Sequence, residues 1–294
     1  MAWFQMGGSA QGLAMSTLDW SLPQLESEAG RLWPGFAMEV VAAIASTNSE
    51  LMRRARAGRL GPTLLLAETQ TAGRGRLGRR WHSAESVGDS LTFSLGLPLP
   101  VRDWSGLSLA VGVSIAQSLE PGPTGAAASR IGLKWPNDLW WRGRKLGGVL
   151  IETVSSGAAL YAVIGVGLNI RLPQAGEFAR APAALTELLP GWLAPDALRR
   201  ILPPLLQAVS AFAEQGFPAF RAAFQARDVL FELEVWAESS AASAASPGLG
   251  GVARGVDDSG ALLVHTAEGM KRITSSDLSI RPSGPRAPAA IPAD

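Results

Sequence analysis

The chain has 294 residues, of which 47% are hydrophobic, so it can bury a full core and a wholly disordered protein is excluded. Its 26 Lys and Arg residues against 25 Asp and Glu residues leave a formal net charge of +1, which argues against a protein that coats nucleic acid or an anionic membrane. Cysteine is absent and the only histidines are His82 and His265, so disulfides, thiolate catalysis and cysteine-ligated zinc are excluded. Any catalysis has to rely on lysine, arginine, carboxylates, amides and backbone groups.

The N-terminal half contains several segments with recognisable patterns. Residues 1–35 show no clear periodicity, which predicts an irregular extension. A capping box at residues 47–50 predicts the start of a helix. A short apolar run at 63–67 and an alternating run at 91–97 predict two strands. Residues 107–119 alternate like a strand, but their length and alanine content suit a buried helix better, and periodicity alone does not decide.

Three further apolar runs follow at residues 131–135, 148–153 and 160–166, separated by turn-rich segments. The short spacing between the last two runs predicts an antiparallel pair. From residue 195 to residue 224 the apolar positions recur on one broad helical face. The segment 239–251 is rich in Ser, Ala, Gly and Pro, which is typical of a mobile loop.

These patterns divide the chain into four parts. Residues 1–35 are the irregular extension, and residues 36–226 are predicted to form a mixed α/β domain. Residues 227–281 are predicted to form a small β module, which is close to the lower size limit for independent folding and is expected to dock on the larger domain. The Pro- and Ala-rich residues 282–294 are expected to be a disordered tail.

Targeting and membrane signals are weak in this sequence. The N-terminal residues have no basic start followed by an apolar core, which argues against a secretory signal. The uncharged stretch at residues 104–119 is shorter than the roughly 18 residues that a membrane span needs. We therefore expect a cytoplasmic protein without a membrane partner.

The segment from Gln70 to Trp81 combines three glycines with four arginines and has no acidic residue. Glycines let backbone N–H groups approach a ligand closely, and guanidinium groups bind carboxylates or phosphates in bidentate fashion. Trp81 offers a flat face for a base or another ring. A solvated basic turn and an Arg-Gly element for nucleic acid are the alternatives, but the lack of repetition argues against the latter.

Two segments place a lysine at the end or the start of a strand. In segment 134–139, Pro136 ends a strand, which indicates either an ordinary turn capped by Asn137 or a site for phosphate or a cation. In segment 144–152, Lys145 precedes two glycines and a core strand. A surface lysine is usually only solvated, but the space left by the glycines favours a binding role.

Segment 165–170 has a single polar side chain, that of Asn169, in an otherwise apolar strand. A ligand-binding amide and a buried amide satisfied by backbone groups both fit this pattern. The segment lacks the third glycine of a dinucleotide-binding fingerprint. The chain also lacks the phosphate-binding loop of common ATPases.

Together, the four segments just described closely resemble the biotin–protein ligase family in order and spacing. The resemblance extends to residues 46–48 upstream and to residues 254–263 in the C-terminal module, and it covers about residues 40–281. It implies an α+β fold in which helices flank a mixed β-sheet, as in class II synthetases and in biotin and lipoate ligases. It also implies a small C-terminal SH3-like β-barrel.

Family members join the carboxylate of biotin to the α-phosphate of ATP, release pyrophosphate, and pass biotin to a lysine of a biotin carboxyl carrier protein. The resemblance implies binding of ATP, Mg²⁺ and biotin, with no tightly bound protein-ligated metal and no protein nucleophile. The residues before Ser46 are too few and too irregular for the helix-turn-helix of repressor-type members, so a monofunctional ligase that does not bind DNA is expected. Some relatives pair through the sheet, and an exposed edge strand would allow a homodimer here.

Two other functions stay open at this point. A lipoate or octanoyl ligase of the same fold is the main alternative among enzymes, although the Gly/Arg segment and segment 134–139 favour biotin. A nucleic-acid-binding regulator that uses the arginines is the alternative from another class. The near-neutral charge and the missing helix-turn-helix argue against it.

The resemblance also implies roles for individual residues of this sequence. The residues implied to bind biotin are Ser46, Thr47, Asn48, Gln70, Gly73, Arg74, Gly75, Arg76, Lys145 and Gly148. The residues implied to contact the nucleotide are Arg76, Arg79, Trp81, Lys134, Asn137 and Asn169. Arg74, Arg76 and Lys145 are implied to be catalytic, because they would stabilise charge on the carboxylate and the α-phosphate. Asp138 is implied to help hold Mg²⁺.

Overall fold

The computed structural model describes most of the chain. The described residues are 18–82, 86–101, 103–120, 131–156, 159–172, 181–239, 249–274 and 278–282. The first seventeen residues of the expected N-terminal extension and the expected tail beyond Pro282 lie outside them.

Five α-helices and two β-sheets form within this part of the chain. The helices are α1 (Leu22–Leu32), α2 (Thr47–Arg56), α3 (Leu107–Leu119), α4 (Ala194–Gln215) and α5 (Pro218–Gln225). The strands of the first sheet are β1 (Ala37–Ile44), β2 (Thr63–Gln70), β3 (Ser90–Pro98), β4 (Gly132–Lys134), β5 (Asp138–Trp141), β6 (Arg144–Ser156) and β7 (Ala159–Asn169). The strands of the second sheet are β8 (Glu234–Ser239), β9 (Leu249–Val256), β10 (Leu262–Thr266), β11 (Gly269–Ile273) and β12 (Leu278–Pro282). None of the helices in the described ranges is both long and apolar enough to cross a membrane.

The first sheet has the strand order β1-β2-β3-β7-β6-β5-β4. β1 and β2 are parallel, since α2 connects them, and every other neighbouring pair is antiparallel. The expected mixed sheet flanked by helices is therefore confirmed. The expected antiparallel pair of segments 148–153 and 160–166 is also confirmed, because they belong to β6 and β7.

Different helices cover the two faces of this sheet, because side chains alternate along each strand. On β2, Leu64 and Leu66 belong to the main core, which includes residues of α3 and α4. Leu65 lies on the opposite face and packs with Leu51 and Met52 of α2. This packing holds the N-terminus of α2 against the sheet.

Helix α3 resolves the ambiguous segment 107–119 as a helix. Eleven of its thirteen residues are buried, and the helix packs against α4 and against strands of the sheet. A helix that is covered on nearly all sides has apolar residues on all sides, so its sequence shows no clear helical period.

The prediction of an irregular extension is wrong for Leu22–Leu32, which form α1. Pro23 lies in the first turn, where its fixed φ angle favours a helix and its missing N–H costs no hydrogen bond. Only Leu25 and Ala29 are buried, and the helix packs against α4 and β1. Two buried positions one turn apart are too few to produce a visible period in the sequence.

The second sheet is antiparallel throughout, with the strand order β11-β10-β9-β8-β12, which fits the expected small SH3-like module. The expected loop at 239–251 is wrong at both ends, since β8 ends at Ser239 and β9 begins at Leu249. Gly250 in β9 leaves room for an indole ring, since a Cβ atom there would lie 2.7 Å from Cζ3 of Trp236.

Further features of the C-terminal module concern its last strand and its contact with the larger domain. Pro282, which was expected in the disordered tail, pairs with Val235 at the end of β12. The module docks on the larger domain, as its size predicts: the indole Nε1 of Trp135 donates to the carbonyl oxygen of Gly260 at 3.0 Å. The predicted domain boundary between residues 226 and 227 stays a prediction.

Candidate active site

A cleft lies between the N-terminus of α2, the strands β6 and β7, and the arginine-rich segment. Most of the residues predicted to bind ligands line this cleft. The lining residues are Ser46, Thr47, Asn48, Gln70, Arg74, Gly75, Arg76, Arg79, Arg80, Trp81, Phe93, Asn137, Lys145, Gly148, Val149, Leu150, Gly165, Val166 and Gly167.

The start of α2 forms the uncharged polar side of the cleft. The helix is capped by Ser46, whose Oγ accepts from the backbone N–H of Ser49 at 3.3 Å, so the predicted capping box is displaced by one residue. Glu50 does not complete the box. Its carboxylate instead accepts hydrogen bonds from Arg53 and Arg54, which lower the pKa of Glu50 to about 2.

Thr47 is the first residue of α2 and turns its side chain toward the sheet instead of capping the helix. Its Oγ1 lies 2.7 Å from Oγ of Ser94 on β3, and Ser94 Oγ donates to Asn48 Oδ1 at 2.6 Å. The backbone N–H of Thr47 donates to Gln70 Oε1 at 2.8 Å. The structure therefore brings these predicted biotin residues together. Thr47 and Asn48 are joined through Ser94, which sequence reasoning missed because a serine in an alternating strand has no distinguishing signal.

The arginine-rich segment folds as a short hairpin, residues 73–81, beside the cleft. The backbone N–H of Gly75 donates to the carbonyl of Arg79 at 2.7 Å, and that of Trp81 donates to the carbonyl of Gly73 at 2.9 Å. A Cβ atom at Gly73 would lie 2.5 Å from the carbonyl oxygen of Trp81, so this glycine permits the close pairing of the two arms. All four arginines of the hairpin line the cleft, namely Arg74, Arg76, Arg79 and Arg80.

Two glycines of β7 make room for side chains of the site. A Cβ atom at Gly167 would lie 2.6 Å from Cε2 of Trp81, and a Cβ atom at Gly165 would overlap Oδ1 of Asn48. Segment 165–170 therefore serves the cleft through its glycines, which were not among the predicted site residues.

Lys145 lies at the start of β6 with its amine at the cleft. Its Nζ donates to Asp138 Oδ1 at 2.6 Å across the β5–β6 hairpin. A Cβ atom at Gly148 would lie 3.4 Å from Lys145 Nζ, so this glycine keeps space open beside the amine. Asn137 also lines the cleft, and its Nδ2 donates to the carbonyl of Val149 at 2.6 Å.

Four of the predicted residues are not among those that line the cleft, namely Gly73, Lys134, Asp138 and Asn169. Lys134 Nζ lies 4.8 Å from the centroid of the Trp140 ring. Asn169 is buried, and its Nδ2 donates to the carbonyl of Ala183 at 3.1 Å. This contact is the one expected from the second interpretation of the sequence, a buried amide satisfied by backbone groups. The predicted contacts of Lys134 and Asn169 with a nucleotide stay predictions.

Several lining residues were not predicted. They are Arg80, Phe93, Val149, Leu150, Gly165, Val166 and Gly167. Arg80 was detectable, because it belongs to the same basic segment as the predicted arginines. The apolar residues carried no signal, since every core strand contains residues of these types.

The cleft combines a neutral hydrogen-bonding side with a strongly cationic side, so it can hold an uncharged polar group next to one or two anions. Within the described ranges, no group of three or more His, Cys, Asp or Glu side chains could hold a metal ion. Asp138 is paired with Lys145. The one predicted magnesium ligand, Asp138, therefore already has a cationic partner in this structure.

Comparisons with known proteins found two family matches and several similar proteins. Residues 42–169 match the biotin/lipoate A/B protein ligase family, and residues 249–281 match the biotin protein ligase C-terminal domain. The chain is 36% identical over 251 residues to the biotin–[acetyl-CoA-carboxylase] ligase of Mycobacterium tuberculosis, an alignment that covers 82% of this chain and 88% of that protein. It is 30% identical over 241 residues to the protein of the same name from Paracoccus denitrificans, with 79% and 96% covered.

The fold is also similar to a solved structure. The biotin protein ligase from Aquifex aeolicus in complex with biotin and ATP aligns with a TM-score of 0.69 at 28% sequence identity, covering 84% of this chain and 99% of that chain. The sequence likeness over most of both chains, the two matched domains and the shared fold show that this chain belongs to the biotin–protein ligase family.

Proposed function

We propose that this chain is an ATP-dependent biotin–protein ligase that activates biotin and transfers it to a carrier-protein lysine. One observation carries the proposal: the hydrogen-bonding side of the cleft, at Thr47, Asn48 and Gln70, adjoins the cationic side at Lys145 and the arginine hairpin. Biotin has an uncharged ureido ring at one end and a carboxylate at the other, and ATP adds a triphosphate. One side of the cleft suits the ring, and the other suits the anions.

The first half-reaction would join the two anionic groups. An oxygen of the biotin carboxylate attacks the α-phosphorus of ATP, the bond from that phosphorus to the bridging oxygen breaks, and pyrophosphate leaves. Lys145, Arg74 and Arg76 would stabilise the negative charge on the α-phosphate oxygens in the transition state. Magnesium would enter with the triphosphate and offset part of its charge.

The second half-reaction would transfer biotin to the carrier. The neutral amine of a lysine attacks the carbonyl carbon of biotinyl-5′-AMP, AMP leaves, the nitrogen loses a proton and an amide bond forms. No protein nucleophile takes part, which suits a chain without cysteine. The hairpin would keep water away from the adenylate, because the arginines that contact the anion also cover it.

The other predicted site residues are assigned to the biotin site or to the nucleotide site. We propose that Ser46, Gly75 and Gly148 contribute to the biotin site and that Arg79, Trp81 and Asn137 contribute to the nucleotide site, since all six line the cleft. Asp138 pairs with the cleft residue Lys145, and the carbonyl of Lys134 accepts from the backbone N–H of the cleft residue Asn137. Their direct contacts with ligands stay predictions.

The hydrogen-bonding side favours biotin over lipoate. The Gln70 Oε1 atom is occupied by the Thr47 backbone N–H, which leaves the amide NH₂ of Gln70 as a donor for a ligand carbonyl. A ureido ring offers both a carbonyl acceptor and N–H donors. The dithiolane ring of lipoate offers neither, so it would leave polar groups of the cleft without partners.

Incubation of the protein with ATP, Mg²⁺ and either biotin or lipoate tests the proposal, with biotin carboxyl carrier domains and lipoyl domains as acceptors. We expect pyrophosphate release with biotin alone and a mass increase of one biotinyl group on one carrier lysine. Adenylate formation with lipoate and not with biotin would overturn the proposal.

The acceptor, location and assembly state are finer parts of the proposal. We propose a carboxyl carrier domain of a biotin-dependent carboxylase as the acceptor, because both relatives named above are called ligases of acetyl-CoA carboxylase. A cytoplasmic location, the absence of DNA binding and a homodimer through a sheet edge stay predictions. For the homodimer, β1 supports the prediction as a half-exposed edge strand of the first sheet.

A further inference from the structure

Glu152 on β6 contacts both sides of the cleft without being one of the predicted site residues. Its Oε2 accepts from Asn48 Nδ2 at 3.1 Å, and its Oε1 pairs with Arg74 Nη1 at 3.4 Å. The side chain is 22% exposed. Its backbone is in register with Val163 of β7, so this pair of strands sets the position of the carboxylate.

The partners of Asn48 determine the orientation of its side-chain amide. Asn48 Nδ2 faces the carbonyl of Leu150 at 3.2 Å and Glu152 Oε2, and both of these groups only accept hydrogen bonds. The NH₂ group therefore has to lie on this side, and Oδ1 has to face Ser94. If position 152 lost its acceptor, only the carbonyl of Leu150 would hold this orientation.

The same orientation determines the direction of the hydrogen bonds beyond Asn48. Because Asn48 Oδ1 only accepts, Ser94 Oγ must donate to it, and the Ser94 hydroxyl proton is then used. Thr47 Oγ1, which lies 2.7 Å from Ser94 Oγ and 3.2 Å from Gln70 Oε1, must then be the donor toward both of these oxygens. The oxygen of Thr47 consequently keeps its lone pairs for a ligand and acts in the cleft as an acceptor.

The other oxygen of Glu152 anchors the arginine hairpin. Arg74 begins the hairpin ladder, where it pairs with Arg80, and its guanidinium contacts Glu152 and Ser49 Oγ, the latter at 3.3 Å. The Arg74 side chain is half-exposed, so this contact ties a surface hairpin to a central strand.

We propose that Glu152 is a positioning residue that sets the biotin pocket through Asn48 and holds the hairpin through Arg74. The two contacts act on different steps. The Asn48 contact supports recognition of the ligand ring, and the Arg74 contact supports retention of the adenylate under the hairpin. This inference rests on the proposed ligase function.

Two substitutions separate the two contacts. In Glu152→Gln, the amide oxygen still accepts from Asn48, but the negative charge opposite Arg74 is lost. In Glu152→Ala, both contacts are lost. The matched control is Glu39→Gln, which removes a strand carboxylate paired with Arg54 at 2.7 Å outside the cleft, while Arg54 keeps Glu50 at 2.8 Å.

For each protein we would measure the KM for biotin in pyrophosphate release and the share of biotinyl-5′-AMP released into solution without an acceptor. Glu152→Gln should keep the KM for biotin within about twofold and release several times more adenylate, because only a charge-assisted contact is lost. Glu152→Ala should also raise the KM for biotin about tenfold, the size of effect of one hydrogen bond to a charged group. The control should match the unmodified protein in both measurements.

Two results would contradict the inference about Glu152. If both Glu152 variants match the unmodified protein, or if they change the KM for biotin and the released adenylate equally, the inference is wrong. If the unmodified protein itself releases no pyrophosphate with biotin, the proposed function fails instead. Thermal melting of all four proteins identifies a variant that has lost its fold, and the near-isosteric Glu152→Gln decides the question for the Arg74 contact on its own.

Discussion

The indole ring of Trp81 lies against the backbone of Gly167, so closely that a Cβ atom at position 167 would be 2.6 Å from Cε2 of the ring. Trp81 of the hairpin and Gly167 of β7 are more than eighty residues apart in sequence. This contact seats the end of the arginine hairpin on the central sheet. It also explains why a strand of the core has a glycine where a valine or isoleucine would pack well.

We expect Gly167→Ala to displace Trp81 and to impair the site. The methyl group has to push the ring or the strand aside, which costs about 1–3 kcal/mol in a well-packed region. The KM for ATP should rise several-fold, measured by pyrophosphate release at saturating biotin. Gly30→Ala is the matched control, because Gly30 lies in α1 with open space around its Cα and alanine favours a helix. Equal KM values for the two variants would contradict the predicted contact of Trp81 with the nucleotide.

Lys145→Ala should remove the first half-reaction and leave the fold intact. The loss of a cation aimed at the developing phosphate charge should lower the rate of adenylation by about 100- to 1000-fold. Lys271→Ala is the control, since Lys271 is also paired with a carboxylate, that of Glu268, but lies in the C-terminal module. Pyrophosphate release is the assay, and near-normal release by Lys145→Ala would exclude the proposed role.

Occupation of the cleft should slow hydrogen exchange in the hairpin. Its arms are held together by few backbone hydrogen bonds and its arginines line the cleft, so bound anions should add contacts that keep the arms closed. Hydrogen-exchange mass spectrometry of residues 73–78, with and without biotin and ATP, measures the effect. Equal protection in both states would mean that the hairpin does not close over the ligand.

Asp228 should make stability depend on pH. Burial raises the pKa of its carboxyl to about 7 from 3.8, against the opposing effect of a hydrogen bond from the backbone N–H of Leu230, and Oδ2 has no hydrogen-bond partner among the described residues. Because the folded-state pKa is the higher one, the stabilisation is complete below about pH 4. It is lost progressively as the pH rises to about 7, since the unfolded chain ionises first.

The variant Asp228→Asn tests this pH dependence, because an amide keeps an acceptor for Leu230 and does not ionise. At each pH, the free energy of unfolding in urea of the unmodified protein is subtracted from that of the variant. This difference should be about 1–3 kcal/mol larger at pH 8 than at pH 5. Asp258→Asn is the control, since that side chain is 74% exposed and pairs with Arg221 at the surface. A difference that is the same at both pH values would show that Asp228 ionises normally in the folded protein.

Local patterns in the sequence were sufficient for the elements whose apolar residues alternate along the chain or lie on one helical face. The run at 91–97 and the apolar face at 195–224 correspond to β3 and to α4 with α5. Helix α3 was ambiguous because it is covered on nearly all sides. Helix α1 was missed because only Leu25 and Ala29 of it are buried. In both cases the period of the apolar residues, which is the signal that a sequence carries, is weak or absent.

By itself, the sequence determined the family and the chemical character of the site: a near-neutral chain whose positive charge gathers in one Gly/Arg segment, with Lys145 and several amides further along. Only the tertiary structure decided how these residues work together. It showed that the side-chain amide of Asn169 donates to the backbone carbonyl of Ala183 and that Gly165 and Gly167 make room for Asn48 and Trp81. The physical reason is distance along the chain: contacts such as that between Asn48 and Glu152 join residues 104 positions apart, and no local pattern encodes them.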